Sequence, residues 1–283
     1  MSESILEVLS CHVIRWVRER EPVLLGVSGA QGSGKTTLCH QLAERLSVAE
    51  GLRTVVLSLD DFYLTRRERL RLAEEQHPLF ATRGPPGTHD LGLLERTLAR
   101  LRSGLGATLP RFDKSLDDRA PASQWITVAP GPLDLVLLEG WCLAVPAQAP
   151  AQLEEPVNAL ERSADPEGRW RRQVNRALMT EYRDLWAKLD KVVALIAPSF
   201  DVVFDWRRQQ ELALRASLDE TQEVERRLLL TDQALEHFLA HFERLTQHAL
   251  RELPRVADLC LYLDEMRRLV RVEARGPGAS TSE

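Results

Sequence analysis

The segment Gly29–Thr36, GAQGSGKT, fits the pattern G-x-x-x-x-G-K-[ST] in full and constrains this chain more than any other feature. It follows PVLLGVSG, a short apolar run stopped by glycine that reads as a buried strand. It precedes GKTTLCHQLAERL, whose apolar residues recur with a helical period. A strand, a glycine-rich turn and a helix in that order open an α/β fold, because a buried parallel strand needs a helix to cover it. Gly29, Gly32 and Gly34 let backbone N–H groups turn inward where a Cβ would obstruct them. The helix N-terminus adds roughly half a positive charge at the same point. Such a loop cradles the phosphates of a nucleoside triphosphate, with Ala30, Gln31, Ser33 and Thr37 completing the binding run. Lys35 is expected on the β- and γ-phosphates and the Thr36 hydroxyl on Mg²⁺, so ATP and Mg²⁺ are the expected cofactors.

Apolar runs of strand length recur at RTVVLSLDDFY, LDLVLLEG, KVVALIAP and ADLCLYLDE. Helical periodicity marks residues 3–20, 65–76, 90–103, 167–189, 200–217 and 222–250, with Thr88 or Asp90 as N-cap of the third. This alternation predicts an α/β fold, a P-loop NTPase-type three-layer sandwich with a mostly parallel sheet and helices on both faces. HPLFATRGPPGTH (77–89) reads as a Pro/Gly loop without regular structure, and 104–132 as mostly irregular with a short strand at WITVA. Residues 141–165 are Ala/Pro-rich and loop-like. Loops of such length in a compact α/β domain are usually functional. No repeat or boundary emerges. Residues 1–271 are therefore expected to form one domain, with an N-terminal helix and acceptor-site and lid insertions, and 272–283 a flexible tail.

The 283 residues carry 37 Lys and Arg against 42 Asp and Glu, a net charge of −5. That balance argues against a general nucleic-acid or anionic-membrane surface, since phosphate affinity comes mainly from Lys and Arg. Cys11, Cys39, Cys142 and Cys260 lie far apart without metal-site spacing, as isolated reduced thiols do. MSESILEVLSCHVIRWVRER lacks a basic leader and is interrupted by charges, and no stretch is long enough to span a bilayer. A soluble, cytoplasmic protein that takes a small molecule and ATP, with no membrane, nucleic-acid or obligate protein partner, is expected.

Two further positions carry chemistry. Glu139, at the end of LDLVLLEG, can hold Mg²⁺ through water, or it can simply face solvent beyond the sheet. Asp60 and Asp61 end LSLDDFYL and lie beside the P-loop if the two strands are neighbours. One of them can accept the proton of an attacking hydroxyl, although turn and N-cap duty is the alternative. Adjacent strand residues point to opposite sides, so only one of the pair would face the γ-phosphate.

GAQGSGKTT, LSLDDFYL and LLEGW together resemble the uridine kinase, phosphoribulokinase and pantothenate kinase group of P-loop kinases. Within that group the chain is most similar to the D-glycerate 3-kinases. DDFYLT (60–65), RGPPGTHDL (83–91), PRFDKS (110–115), DRAP with a nearby Trp (118–125), LLEGWCLAVP (137–146), LEEPVN (153–158), APSFDVVFDWRRQQE (197–211) and FERLTQH (242–248) carry that resemblance in family order. It implies a kinase that moves the γ-phosphoryl of ATP to the 3-hydroxyl of D-glycerate, with Asp60 as base and Glu139 on the magnesium side. It also implies acceptor contacts from Asp61, Tyr63, Arg83, His89, Asp90, Arg111, Asp113 and Lys114, and a lid arginine at Arg207. The bland alternatives are a loop histidine at His89, a cap at Asp90 and a solvated Lys114, Arg208 and Arg215. The PP within RGPPGTHD and the filling of 116–124 depart from the plant pattern on the acceptor side. Another small acceptor, a nucleoside or a pantothenate-like molecule, and an ATP-dependent regulatory module without turnover, are the competing readings.

Overall fold

The computed structural model describes residues 3–19, 23–217 and 231–275. Helix α1 (Glu3–Glu19) precedes β1 (Val23–Gly29), α2 (Lys35–Glu50) and β2 (Thr54–Ser58). Next come α3 (Arg66–Glu75) and α4 (Leu91–Arg102), then the short strands β3 (Ala107–Leu109), β4 (Phe112–Asp113), β5 (Asp118–Arg119) and β6 (Ile126–Val128). Strand β7 (Leu135–Gly140), α5 (Ala159–Ala164), α6 (Arg169–Ala177), α7 (Arg183–Trp186) and β8 (Lys191–Ile196) follow. The described chain closes with α8 (Phe200–Ser217), α9 (Asp232–Val256), β9 (Leu259–Leu263) and β10 (Leu269–Ala274).

Six strands form one sheet in the order β10-β9-β8-β1-β7-β2, parallel except for β10. The expected α/β sandwich is present. Apolar side chains leave both faces of the inner strands, which is why those strands read as continuous runs rather than alternations. On one face Leu135 and Leu137 of β7 and Val193 and Leu195 of β8 pack with Ile5, Leu9, Leu38, Leu42 and Trp206. On the other, Val136, Leu138, Ala194 and Ile196 pack with Leu94, Leu98, Tyr182, Phe242 and Leu245. Among the described residues no helix is long and apolar enough to cross a membrane.

Several expectations change. Strand β2 pairs with β7 and not with β1, so the aspartate end is not next to the P-loop strand. It also stops at Ser58, and Asp60 and Asp61 lie on a 3₁₀ turn, Leu59–Phe62, where strand alternation no longer governs their directions. The stretch 77–89 contains a 3₁₀ turn at Pro78–Ala81, and Tyr63 and His89 form an antiparallel bridge. Residues 104–132 fold as two small antiparallel pairs, β3 with β6 and β4 with β5. Helix α5 lies within the stretch read as loop. The helix expected over 167–189 is α6 and α7 joined by a π turn, Leu178–Tyr182. Strand β10 runs into the expected tail as far as Ala274, and 276–283 lie outside the described residues. So do 218–230, the start of the helix expected over 222–250.

Candidate active site

The P-loop turns as its glycines require. Gly32 and Gly34 take φ of 77° and 85°, left-handed values that a side chain disfavours, and Gly34 caps α2 so that Lys35 opens the helix. The carboxylate beside it comes from the neighbouring strand. Glu139 is in register with Val27 of β1 on one side and Ser58 of β2 on the other, which puts it between the P-loop and the aspartate turn. The Thr36 hydroxyl donates to Glu139 Oε1 at 2.9 Å, and Lys35 Nζ lies 3.8 Å from Oε2.

Glu139 is buried, and its Oε2 accepts no hydrogen bond. A buried charged oxygen left in that state is costly unless something else takes it. A hydroxyl and a carboxylate are the hard oxygen donors that suit Mg²⁺, which keeps most of its shell for phosphates and water. The residues therefore fit the ion. Among the described residues no group of three or more His, Cys, Asp or Glu could hold a metal ion.

A cavity of about 530 Å³ opens beside this pair, lined in part by Thr36, Asp60, Asp61, Arg111, Lys114 and Glu139. Asp60 is its most connected group. Tyr63 donates its hydroxyl to Oδ1 at 2.9 Å, and the Lys114 ammonium donates to Oδ2 at 2.6 Å. Burial pushes the Asp60 carboxyl up, but the charges of Lys114 and Lys35 and the two hydrogen bonds outweigh it. They hold the group well below the usual carboxylate range. Asp60 in turn raises the Lys114 ammonium.

Asp61 lines the same cavity with other partners. Its Oδ1 accepts from the Phe112 N–H at 3.0 Å, and Arg111 Nη1 lies 4.0 Å from its Oδ2. Burial raises this carboxyl, against the Phe112 hydrogen bond and the Arg111 charge. Both carboxylates therefore line one cavity with different partners, and the division onto opposite sides expected from strand alternation does not apply on this 3₁₀ turn.

The other candidates divide. Arg83 bonds to Asp117 and lies with its guanidinium carbon 5.7 Å from the Phe112 ring centre. Its charge also bears on Lys114 and Tyr63, both nonetheless raised, Lys114 by the Asp60 charge and Tyr63 by burial. His89 stacks on Tyr63 with ring centres 4.6 Å apart, and burial takes its pKa down to about 3, so it is neutral at physiological pH. Its Nδ1 shares a hydrogen bond of 2.6 Å with the Tyr182 hydroxyl, which accepts from the Gly87 N–H at 3.0 Å. His89 therefore backs Tyr63. Asp90 caps α4 through Leu93 N–H at 2.9 Å and pairs with Arg119 at 3.2 Å. Asp113 closes its own turn, accepting from Ser115 N–H at 2.8 Å. Asp90 thus serves the loops, while Asp113 closes its turn at the wall of the cavity. Arg207 is paired with Glu211 at 2.9 Å and Arg208 with Asp205 at 3.2 Å; the side chain of Arg215 lies outside the described residues.

Three residues that the sequence did not single out hold the β4–β5 hairpin in place. Arg69, fully buried on α3, pairs with Asp117 at 2.9 Å and donates to the carbonyls of Leu64 and Ala81. Asp117 itself sits at φ 53° between Arg69 and Arg83. Arg119 donates to the Tyr63 carbonyl at 2.9 Å. The only advance signal was DRAP, which contains Arg119.

Residues 24–153 match the phosphoribulokinase / uridine kinase family model. The chain is 34% identical over 235 residues to the uncharacterized kinase mug58 of Schizosaccharomyces pombe, covering 76% of this chain and 81% of that one. It is 35% identical over 206 residues to the chloroplastic D-glycerate 3-kinase of Arabidopsis thaliana, over 69% of this chain and 42% of the plant protein. A solved D-glycerate 3-kinase from Cryptococcus neoformans superposes with a TM-score of 0.81 at 28% identity, covering 97% of this chain and 100% of that one.

Proposed function

Since the chain belongs to the phosphoribulokinase / uridine kinase family of P-loop kinases, we propose that it moves the γ-phosphoryl of ATP to the 3-hydroxyl of a small hydroxy acid, D-glycerate, giving 3-phosphoglycerate. The observation that carries this reading is the ammonium of Lys114 seated on Asp60 at 2.6 Å, with Arg83 close by. A general base works best when its pKa lies near the working pH, and an aspartate clamped by an ammonium is far from that. A carboxylate entering beside Lys114 competes for the ammonium. Asp60 then rises toward its ordinary range and is free to take the proton of the acceptor's hydroxyl. An acceptor without a carboxylate leaves the clamp shut.

The remaining residues orient the donor. The P-loop N–H groups and Lys35 take the phosphate oxygens, while Glu139 and Thr36 offer oxygens to Mg²⁺. When bound, Mg²⁺ offsets the negative charge of the β- and γ-phosphates. Tyr63, held between His89 and Phe112, keeps Asp60 Oδ1 in one orientation, which leaves Oδ2 as the oxygen that exchanges partners.

An acceptor panel with ATP and Mg²⁺ tests the reading. D-glycerate should be turned over and its product identified as the 3-phosphate, while glycerol, the same skeleton without the charge, should be poor. Faster turnover of uridine or pantothenate would replace the acceptor, and ATP binding without any acceptor-stimulated turnover would favour a regulatory module. Lys114→Ala should raise the acceptor KM by about tenfold or more, the worth of a hydrogen bond to a charged group, with the KM for ATP unchanged. An unchanged acceptor KM removes the carboxylate argument. Glu139→Gln should retain nucleotide binding while turnover falls and depends more steeply on Mg²⁺. Near-wild-type rates at low Mg²⁺ would make Glu139 a bystander.

A further inference from the structure

The apex of the P-loop is tied to two elements that lie far away along the chain. A Cβ on Gly32 would sit 2.7 Å from Trp206 Cβ and 3.0 Å from the Trp206 carbonyl carbon, so only glycine lets α8 approach this closely. Arg267, in the turn between β9 and β10, joins the two. Its Nε donates to the Gly32 carbonyl at 2.6 Å, its Nη1 to Gln209 Oε1 at 3.1 Å and its Nη2 to the Trp206 carbonyl at 3.3 Å. Its guanidinium carbon lies 5.0 Å from the centre of the Trp206 ring, whose N–H donates to the Glu265 carbonyl at 2.7 Å. Arg267 does this from a φ of 61°, a left-handed conformation that costs a residue with a side chain.

We infer that Arg267 is a positioning residue for the nucleotide phosphates, acting through the peptide that links Gly32 to Ser33. The C=O and N–H of a trans peptide point in opposite directions. Holding the Gly32 carbonyl outward on Arg267 therefore turns the Ser33 N–H toward the inside of the loop. There it donates to the Ala30 carbonyl at 3.2 Å, a turn bond that a phosphate oxygen would replace. Glycine at 32 makes rotation of that peptide cheap, and once a phosphate takes the N–H from Ala30 the turn bond no longer holds it, so the restraint on the Gly32 carbonyl is the one that remains. Arg267 is that restraint, and it couples the same peptide to Trp206 and hence to the start of α8. The inference rests on the P-loop binding phosphates and is independent of which acceptor is used.

Binding of ADP and ATP to the full chain, measured by calorimetry alongside steady-state kinetics, tests it. Arg267→Gly removes the side chain and relieves the left-handed backbone, so loss of fold and loss of function separate. Its Kd for ADP should rise about tenfold or more, as for a lost hydrogen bond from a charged donor. The kcat at saturating ATP and the acceptor KM should stay within about threefold, and the ligand-free melting temperature should change little. Arg267→Lys, which can reach the Gly32 carbonyl but cannot bridge all three partners, should fall between the two. Wild-type ADP affinity in Arg267→Gly overturns the inference. So does a loss of affinity matched by equal losses in kcat, acceptor KM and melting temperature, which would mark a general structural role. Should Arg267→Gly not fold, Arg267→Lys decides: weaker ADP binding at unchanged kcat supports the assignment, and unchanged ADP binding ends it.

Discussion

Asp60→Asn should cut kcat by about 10²–10⁴, the usual contribution of a general base, with the KM for ATP little changed. The amide keeps the shape of the side chain and can still accept from Tyr63, but it cannot take a proton. It also carries no charge to hold Lys114, which Asp60 binds at 2.6 Å. The freed ammonium becomes available to an incoming carboxylate, so the acceptor KM should stay level or fall while kcat collapses. That opposite movement separates a lost base from a damaged pocket, in which both parameters worsen. Asp61→Asn should be milder, because its Oδ1 accepts from the Phe112 N–H and an amide oxygen can do the same. A larger kcat loss at Asp61 would exchange the two roles.

Lys35→Ala should remove turnover by about 10³ or more, since a donor aimed at charge that develops in the transition state is worth about that much. The ammonium sits 3.8 Å from Glu139 Oε2 and also bears on Asp60, so one deletion strips the phosphates, the metal side and the base side of the same charge. No core packing goes with it. The melting curve should shift only modestly, by the cost of leaving the buried Glu139 with Thr36 as its one partner. Full activity with an unaltered melt would refute the phosphate role.

The inner strands were legible because burial on both faces leaves an unbroken apolar run, as in LVLLEG and KVVALI. Strand β10 was not, because LVRVEA lies almost wholly exposed at the sheet edge and alternates charge with valine, like a solvated segment. The π turn at Leu178–Tyr182 was hidden for another reason: one extra residue shifts the phase of a helix without altering its composition. In the site, Lys35, Thr36 and Glu139 were readable because each stands at the end of a strand or the start of a helix, where a local pattern marks it, whereas the choice of Asp60 over Asp61 rested on the family resemblance alone. Arg69, Asp117 and Arg83 meet through a hairpin and have no spacing rule. Arg267, within DEMRR, looks like any charged turn until its partners are seen.

The β4–β5 hairpin shares no backbone ladder with the main sheet and is joined to the body by side chains at its shoulders: Arg69 and Arg83 on Asp117, Arg119 on Asp90, and the Phe112 N–H on Asp61. It is therefore an exchangeable cassette. Its tip, which carries Lys114, can drift in sequence while the catalytic strands stay untouched, because no sheet hydrogen bond records the change. Substitutions at the tip can change what faces the cavity without breaking a hydrogen bond of the main sheet, provided Asp117 stays between Arg69 and Arg83.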